Sequence, residues 1–166
     1  MIEEDMNRSS HAGIASNGGR VDVGSYLTGY ADGEGCFCVS FSRSRRHKFG
    51  WEIRPSFSIS QNSDRAEVLR SFQERFGCGS IRPDRSDKTL KYETRCIEDL
   101  VERIIPHFER YPLLSSKRED FERFAWICRM MQEDKHLTRK GFEEIVQLAF
   151  SVNAGKRKFP REAIKL

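Results

Sequence analysis

Tyr26-Leu27-Thr28-Gly29-Tyr30-Ala31-Asp32-Gly33-Glu34-Gly35, running straight into Cys36-Phe37-Cys38-Val39, is the stretch that decides how this chain is read. It predicts the end of a helix that passes directly into a strand. Gly29 and Gly33 stand at i and i+4 and therefore share one helix face. A glycine inside a helix costs roughly 1 kcal/mol against alanine. Two on one face point to a compensating gain, most simply the close approach of a second backbone. The acidic Glu34 follows the second glycine, where that packed helix stops, next to the partner.

Outward from this point the pattern changes period. The helix is predicted over residues 23–32, with Asp22 or Ser25 as its cap. Phe37, Val39 and Phe41 then alternate with Cys38, Ser40 and Ser42. Trp51, Ile53, Phe57 and Ile59 alternate with Glu52, Arg54, Ser56 and Ser58. Both segments read as strands with one apolar and one polar face. Pro55 within the second favours an edge or a bulge. Gln61 to Asp64 reads as a turn and cap before a helix over residues 65–76, which Gly77 ends. A second strand pair follows, Ser80-Ile81-Arg82 and residues 90–96, joined by a turn over Pro83-Asp84-Arg85-Ser86-Asp87. The remainder is predicted helical: residues 97–110 with a break or kink at Pro106, a helix opened by the capping box Ser116-x-x-Glu119, and a last helix capped by Thr138 with Leu137 and Phe142 as a hydrophobic staple. Four antiparallel strands with helices on one face make an α+β fold. Residues 1–22, rich in Ser, Asn, Gly and Ala, are expected to form a disordered lead. Residues 23–158 form the domain, and residues 159–166 a tail after the basic Gly155-Lys156-Arg157-Lys158.

The 166 residues allow one domain with a single core, 37% hydrophobic and 33% charged. No apolar run of about 18 residues occurs, so no membrane span is expected, and the acidic start Met1-Ile2-Glu3-Glu4-Asp5 is not a secretory signal. The net charge of +4 is unevenly spread: residues 36–95 carry 13 Lys/Arg and 7 Asp/Glu, hence +6, which leaves −2 for the rest. A local positive excess suits a polyanion. The five cysteines fit no zinc spacing and read as reduced thiols of an intracellular protein, in cytoplasm, nucleoid or an organelle matrix. His11, His47, His107 and His136 are dispersed, and no phosphate-binding glycine loop is present.

The polar sheet face collects Ser40, Ser42, Arg46, Glu52, Arg54, Ser56 and Ser58 from the first strand pair. The second pair adds Arg82, Lys91, Glu93 and Arg95, with Lys48 and Arg85 in the turns. Arg or Lys can bridge guanine edges, and Ser can contact bases or phosphates, so this face suits a DNA groove. Its structural alternative is the ordinary polar exterior of a half-buried sheet.

The opening stretch resembles the signature of the LAGLIDADG homing endonucleases: Leu27, Gly29, Asp32, Gly33, Glu34 and Gly35 match in order, with Glu34 in place of the motif's second aspartate. The element order is similar to the αββαββα core of that family over residues 23–158. Further landmarks are Phe57-Ser58-Ile59-Ser60-Gln61, Phe76-Gly77-Cys78-Gly79-Ser80-Ile81 and Tyr111-Pro112-Leu113-Leu114-Ser115-Ser116-Lys117. The resemblance implies a homodimer cutting a long, nearly palindromic duplex with 3′ overhangs. It implies Mg²⁺ or Mn²⁺ on Glu34 with the Gly33 carbonyl beside it, and catalytic Gln61, Arg65 and Lys117. Leu27, Gly29, Tyr30 and Gly33 would form the subunit interface, and Asp32 would have a structural role. The alternatives on the same fold are a non-cleaving DNA-binding regulator and an intron maturase that binds RNA.

Overall fold

The structure, a computed structural model, describes residues 22–84, 88–152 and 158–164. Helix α1 (Val23–Glu34) is capped by Asp22, whose carboxylate accepts from the Gly24 and Ser25 amides at 3.2 Å each. It runs without a linker into β1 (Gly35–Arg43), which pairs antiparallel with β2 (Trp51–Asn62). A 3₁₀ turn (Ser63–Arg65) leads to α2 (Glu67–Phe76), which Gly77 ends in the left-handed conformation at φ 62°. Strands β3 (Ser80–Pro83) and β4 (Thr89–Thr94) complete a four-stranded antiparallel sheet in the order β1-β2-β4-β3. The helices α3 (Ile97–Asp99), α4 (Ile105–Arg110), α5 (Lys117–Gln132) and α6 (Arg139–Ala149) follow. The expected lead falls on residues outside those described, except for the capping Asp22.

The strand alternation forms the core as predicted. Phe37 faces Phe57 across the β1–β2 ladder, their rings 5.0 Å apart. Tyr92 of β4, opposite Ile59 in the ladder, brings its ring within 6.4 Å of Phe57, and Phe108, Phe121 and Phe124 close over the Phe37 ring from α4 and α5. Only residues 57–62 of β2 pair with β4, so Pro55 sits where β2 has β1 alone as a neighbour, a local edge that tolerates its missing donor.

Four expectations change. Gln61 belongs to the end of β2 rather than to a turn. Before Pro106 the helix widens into a π-helical segment (Leu100–Ile104), which absorbs the proline without a break. The capping box at Ser116 does not form: Ser116 is helical, and Ser115 accepts the Lys117 amide at 3.1 Å instead. The tail packs on the domain, with Ile164 in the core and Phe159 edge-on to Trp51 at 5.0 Å. The basic segment at residues 155–157 lies outside the described residues. No helix among those described is long and apolar enough to cross a membrane.

Candidate active site and nucleic-acid interface

The junction of α1 and β1 depends on Gly35, where a Cβ would lie 2.6 Å from the Ala31 carbonyl oxygen. The helix can therefore turn into the strand at once and leave Glu34, its last residue, exposed at the corner. Glu34 makes no hydrogen bond or ion pair with the described residues.

Two side chains bring the connector of residues 112–116 and the start of α5 to this corner. Asp32 accepts from the Leu114 and Ser115 amides at 3.0 Å each and from the Ser115 hydroxyl. Partial burial pushes the Asp32 carboxyl up, but the Ser115 hydroxyl, the two amides and the nearby Lys117 charge outweigh it, leaving it below the ordinary carboxylate range. Lys117 donates to the Ala31 carbonyl at 3.1 Å and to the Gly33 carbonyl at 3.2 Å. It thereby adds a second donor to the Ala31 carbonyl, which already accepts the Gly35 amide, and meets the Gly33 carbonyl at the negative end of α1, which has no basic residue in its own last turn.

Gln61 donates to the Tyr30 hydroxyl and accepts the Asn62 amide at 2.7 Å, which ties the end of β2 to α1 one turn before Glu34. Arg65 is exposed at the end of the 3₁₀ turn, and no contact joins it to the others. The fold thus gathers Gly33, Glu34 and Lys117 at one corner with Gln61 close by, and leaves Arg65 apart. Asp32 takes the structural role expected of it, but its partner Ser115 and the use of the Tyr30 hydroxyl are not visible in the local pattern, because each acts on a residue distant in sequence.

The predicted subunit face needs one correction. Leu27 is 0% exposed, on the side of α1 opposite the glycines, and packs into the core of the chain. Tyr30 is half-buried against Phe72, with the rings 6.2 Å apart. Gly29 and Gly33 do lie on an open face: a Cβ at either would meet nothing within 4 Å. Tyr26, one turn earlier, is 52% exposed.

The other face of the sheet is polar and uncovered, but its residues are not equivalent. Ser40 is exposed and donates to the Arg54 carbonyl at 3.3 Å; Ser42 and Ser56 are half-buried. Arg54 and Glu52 form a loose exposed pair at 3.8 Å. Arg46 and Lys48 are exposed at the β1–β2 tip, and Arg85 lies outside the described residues. Arg43, which the pattern did not single out, lies over the Trp51 ring at 4.6 Å. Two residues depart from expectation. Ser58 is buried, paired across the ladder with Glu93. The Glu93 side chain is only 7% exposed and is covered by Arg82, Lys91 and Arg95. Neither Ser58 nor Glu93 presents a free group to a duplex.

The LAGLIDADG endonuclease family profile matches residues 27–128. A curated relative, "Probable intron-encoded endonuclease 2" of Neurospora crassa, is 37% identical over 142 residues, covering 84% of this chain and 31% of the relative. Homing endonuclease I-ApeII of Aeropyrum pernix is 31% identical over 112 residues, 67% of this chain and 65% of that one. The chain thus spans about a third or less of the first curated relatives it matches. Among solved structures, the homing endonuclease I-TnaI superposes with a TM-score of 0.77 at 33% identity, covering 85% of this chain and 92% of that one. I-LtrWI, a LAGLIDADG homing endonuclease solved bound to target DNA, superposes with a TM-score of 0.78 at 31% identity, covering 82% of this chain and 46% of that one. The profile match spans the glycine-faced helix from Leu27, its terminal carboxylate and all four strands, and with these relatives it shows that the chain belongs to the LAGLIDADG endonuclease family.

Proposed function

We propose that two copies of this chain pair through the open face of α1 and hydrolyse both strands of a long, nearly palindromic DNA duplex, leaving 3′ overhangs. The observation that carries this reading is the pairing of an unfilled glycine face with a partnerless acid: Gly29 and Gly33 have no neighbour within 4 Å, and Glu34 ends the same helix. Each copy supplies one such carboxylate, and a two-fold axis through the glycine face would set two side by side, one per strand to be cut.

The oxygens at the corner fit a hard cation. No three His, Cys, Asp or Glu side chains converge as a cage among the described residues. Mg²⁺ or Mn²⁺ needs no cage, since Mg²⁺ keeps several waters and takes one or two carboxylates. Glu34 would hold it, with the second lone pair of the Gly33 carbonyl as a further ligand beside the Lys117 ammonium. The bound ion would supply charge neutralisation and a more acidic water.

The chain's own groups do the rest. The Lys117 ammonium, fixed by two carbonyls, offers positive charge where the phosphate develops negative charge. The Gln61 amide, held by the Tyr30 hydroxyl, orients water from the strand side. Arg65, free of partners among the described residues, reaches for the phosphate backbone. The sheet face lies along the groove of one half-site, a use supported by the DNA-bound state of I-LtrWI.

A randomised duplex pool incubated first with Mg²⁺ and then with Ca²⁺ tests the reading. Cutting at one long site in Mg²⁺ is expected; binding without cutting in either ion would favour a DNA-binding regulator. Glu34→Gln should lower cleavage by roughly 10³-fold or more while keeping specific binding. A Glu34→Gln protein that cuts at the parental rate removes Glu34 from the chemistry.

A further inference from the structure

Glu93 is placed unlike any other acid on the open sheet face. Arg95 grips both of its oxygens, through Nε at 3.1 Å and Nη2 at 3.1 Å. Arg82 reaches Oε2 at 2.5 Å from β3, and Lys91 reaches Oε1 at 3.5 Å from its own strand. The carboxylate is 7% exposed, whereas Arg82 and Arg95 are each 52% exposed, so the acid is roofed by cations whose outer edges still meet solvent. Three cations on one carboxylate leave two positive charges uncompensated. Burial raises the Glu93 carboxyl, and the hydrogen bond from Arg95, the charges of Lys91 and Arg95 and the hydrogen bond from Arg82 outweigh this, so the group stays ionised.

Stability alone does not explain the arrangement. One cation would satisfy the acid, and half-exposed pairs contribute only ~0–1 kcal/mol each. Lys91 stands directly opposite Arg82 across the β3–β4 ladder, a like-charge pairing that destabilises a sheet. The row that holds Glu93 has only serines beside it, Ser58 on one side and Ser80 on the other. These small neighbours leave room for the three long side chains to fold over the acid from the adjoining row and from beyond the strand end. The cluster thus tolerates repulsion between cations in order to fix their directions.

We infer that Glu93 is a positioning residue, which holds Arg82, Arg95 and Lys91 as one preset cationic group for reading guanine edges and phosphates of a duplex without touching the duplex itself. The inference rests on the DNA reading proposed above. A guanidinium already fixed in direction loses less side-chain freedom on binding, and its planar fork discriminates only when correctly aimed. A loose cation binds phosphates anywhere along the duplex.

The test compares the parent, Glu93→Gln and Glu93→Asp on two probes, in Ca²⁺. One probe is a duplex selected from a randomised pool by the parent; the other is an unrelated duplex of equal length. Glu93→Gln removes the charge, so the unrelated duplex should bind more tightly, with a salt slope steeper by about 1. Preference for the selected duplex should fall about tenfold or more. Glu93→Asp keeps the charge but draws the carboxylate back by one methylene, so its salt slope should stay parental while preference falls several-fold. Melting temperatures taken alongside separate a stability role, which would weaken both probes equally. If Glu93→Gln does not fold, Glu93→Asp alone decides. Parental preference in whichever variants fold, or equal weakening on both probes, overturns the positioning role and leaves the DNA reading standing. A parent that binds no duplex overturns the DNA reading and this inference with it.

Discussion

The two faces of α1 use glycine in opposite ways. On the inner face a Cβ at Gly24 would lie 2.3 Å from the Tyr111 ring, so the glycine is there because a neighbour already fills the space. Thr28, on the same face, donates to the Tyr111 carbonyl at 3.1 Å and meets His107 Nε2 at 3.2 Å. On the outer face a Cβ at Gly29 or Gly33 would meet nothing within 4 Å among the described residues. A glycine that fits a neighbour within the subunit is explained by the subunit. Glycines facing empty space, at a cost in helix stability, are explained only by something outside it. The contrast turns a ten-residue motif into an argument about assembly, and substitutions on the two faces should behave differently.

The largest effect is expected on the filled face. Gly24→Leu drives a side chain into the Tyr111 ring and should cost about 3 kcal/mol, read as a lowered urea midpoint at constant slope. An unchanged midpoint would mean that α1 does not pack against residue 111 as described. On the open face Gly33→Leu should leave the folded subunit intact. It should separate the pair, raising the dissociation constant by 100-fold or more, about 2.7 kcal/mol. Sedimentation that shows an unaltered dimer would refute pairing through this face.

How far these features were legible depends on the range over which each is decided. The core rows were legible because period 2 is local: Phe37, Val39 and Phe41 face Phe57, Pro55 and Ile53 as the alternation requires. Glu34 was legible because the helix-to-strand switch is written in consecutive residues. Leu27 was misplaced because a motif lists neighbours in sequence, and a helix puts residues 27 and 29 on different faces. Ser115 rather than Ser116 caps α5 because Asp32, far away in sequence, holds Ser115 in place. The role of Glu93 was hidden for the same reason, since Arg82, Lys91 and Arg95 meet only once β3 and β4 are in register.

A smaller effect belongs to His107, which lies behind Thr28. Because Thr28 spends its proton on the Tyr111 carbonyl, the neutral ring donates from Nε2, and its buried Nδ1 has no partner among the described residues. Burial, and then the Arg75 charge, lower the ring from 6.5 to about 4, against a weaker upward pull from Asp22. The unfolded chain therefore takes up a proton before the folded one does. Stability from this group is full above about pH 6.5 and is lost as the pH falls toward 4, on the order of 3 kcal/mol in all. The depressed carboxyls of Asp32 and Glu93 act in a lower window, below their ordinary values, so the two effects separate. His107→Phe suits the surrounding rings of Phe76, Phe108 and Tyr111 and should flatten denaturation midpoints between pH 6.5 and 4. Midpoints that stay as steep in the variant would assign the dependence elsewhere.

The smallest effect is the one that separates the two faces most cleanly. Gly29→Ala adds a single methyl where nothing stands within 4 Å. Within one subunit it should stabilise α1 by up to ~1 kcal/mol, since alanine restricts the unfolded chain and favours the helix. In the proposed pair the same methyl would stand between the two backbones, so association should weaken by a few-fold. The subunit and the pair therefore respond with opposite sign to one substitution. Melting of dilute and concentrated protein reads both: the dilute midpoint should rise, and the gain on concentrating should shrink. If both midpoints rise together, the outer glycines do not mark a contact, and the empty face of α1 needs another explanation.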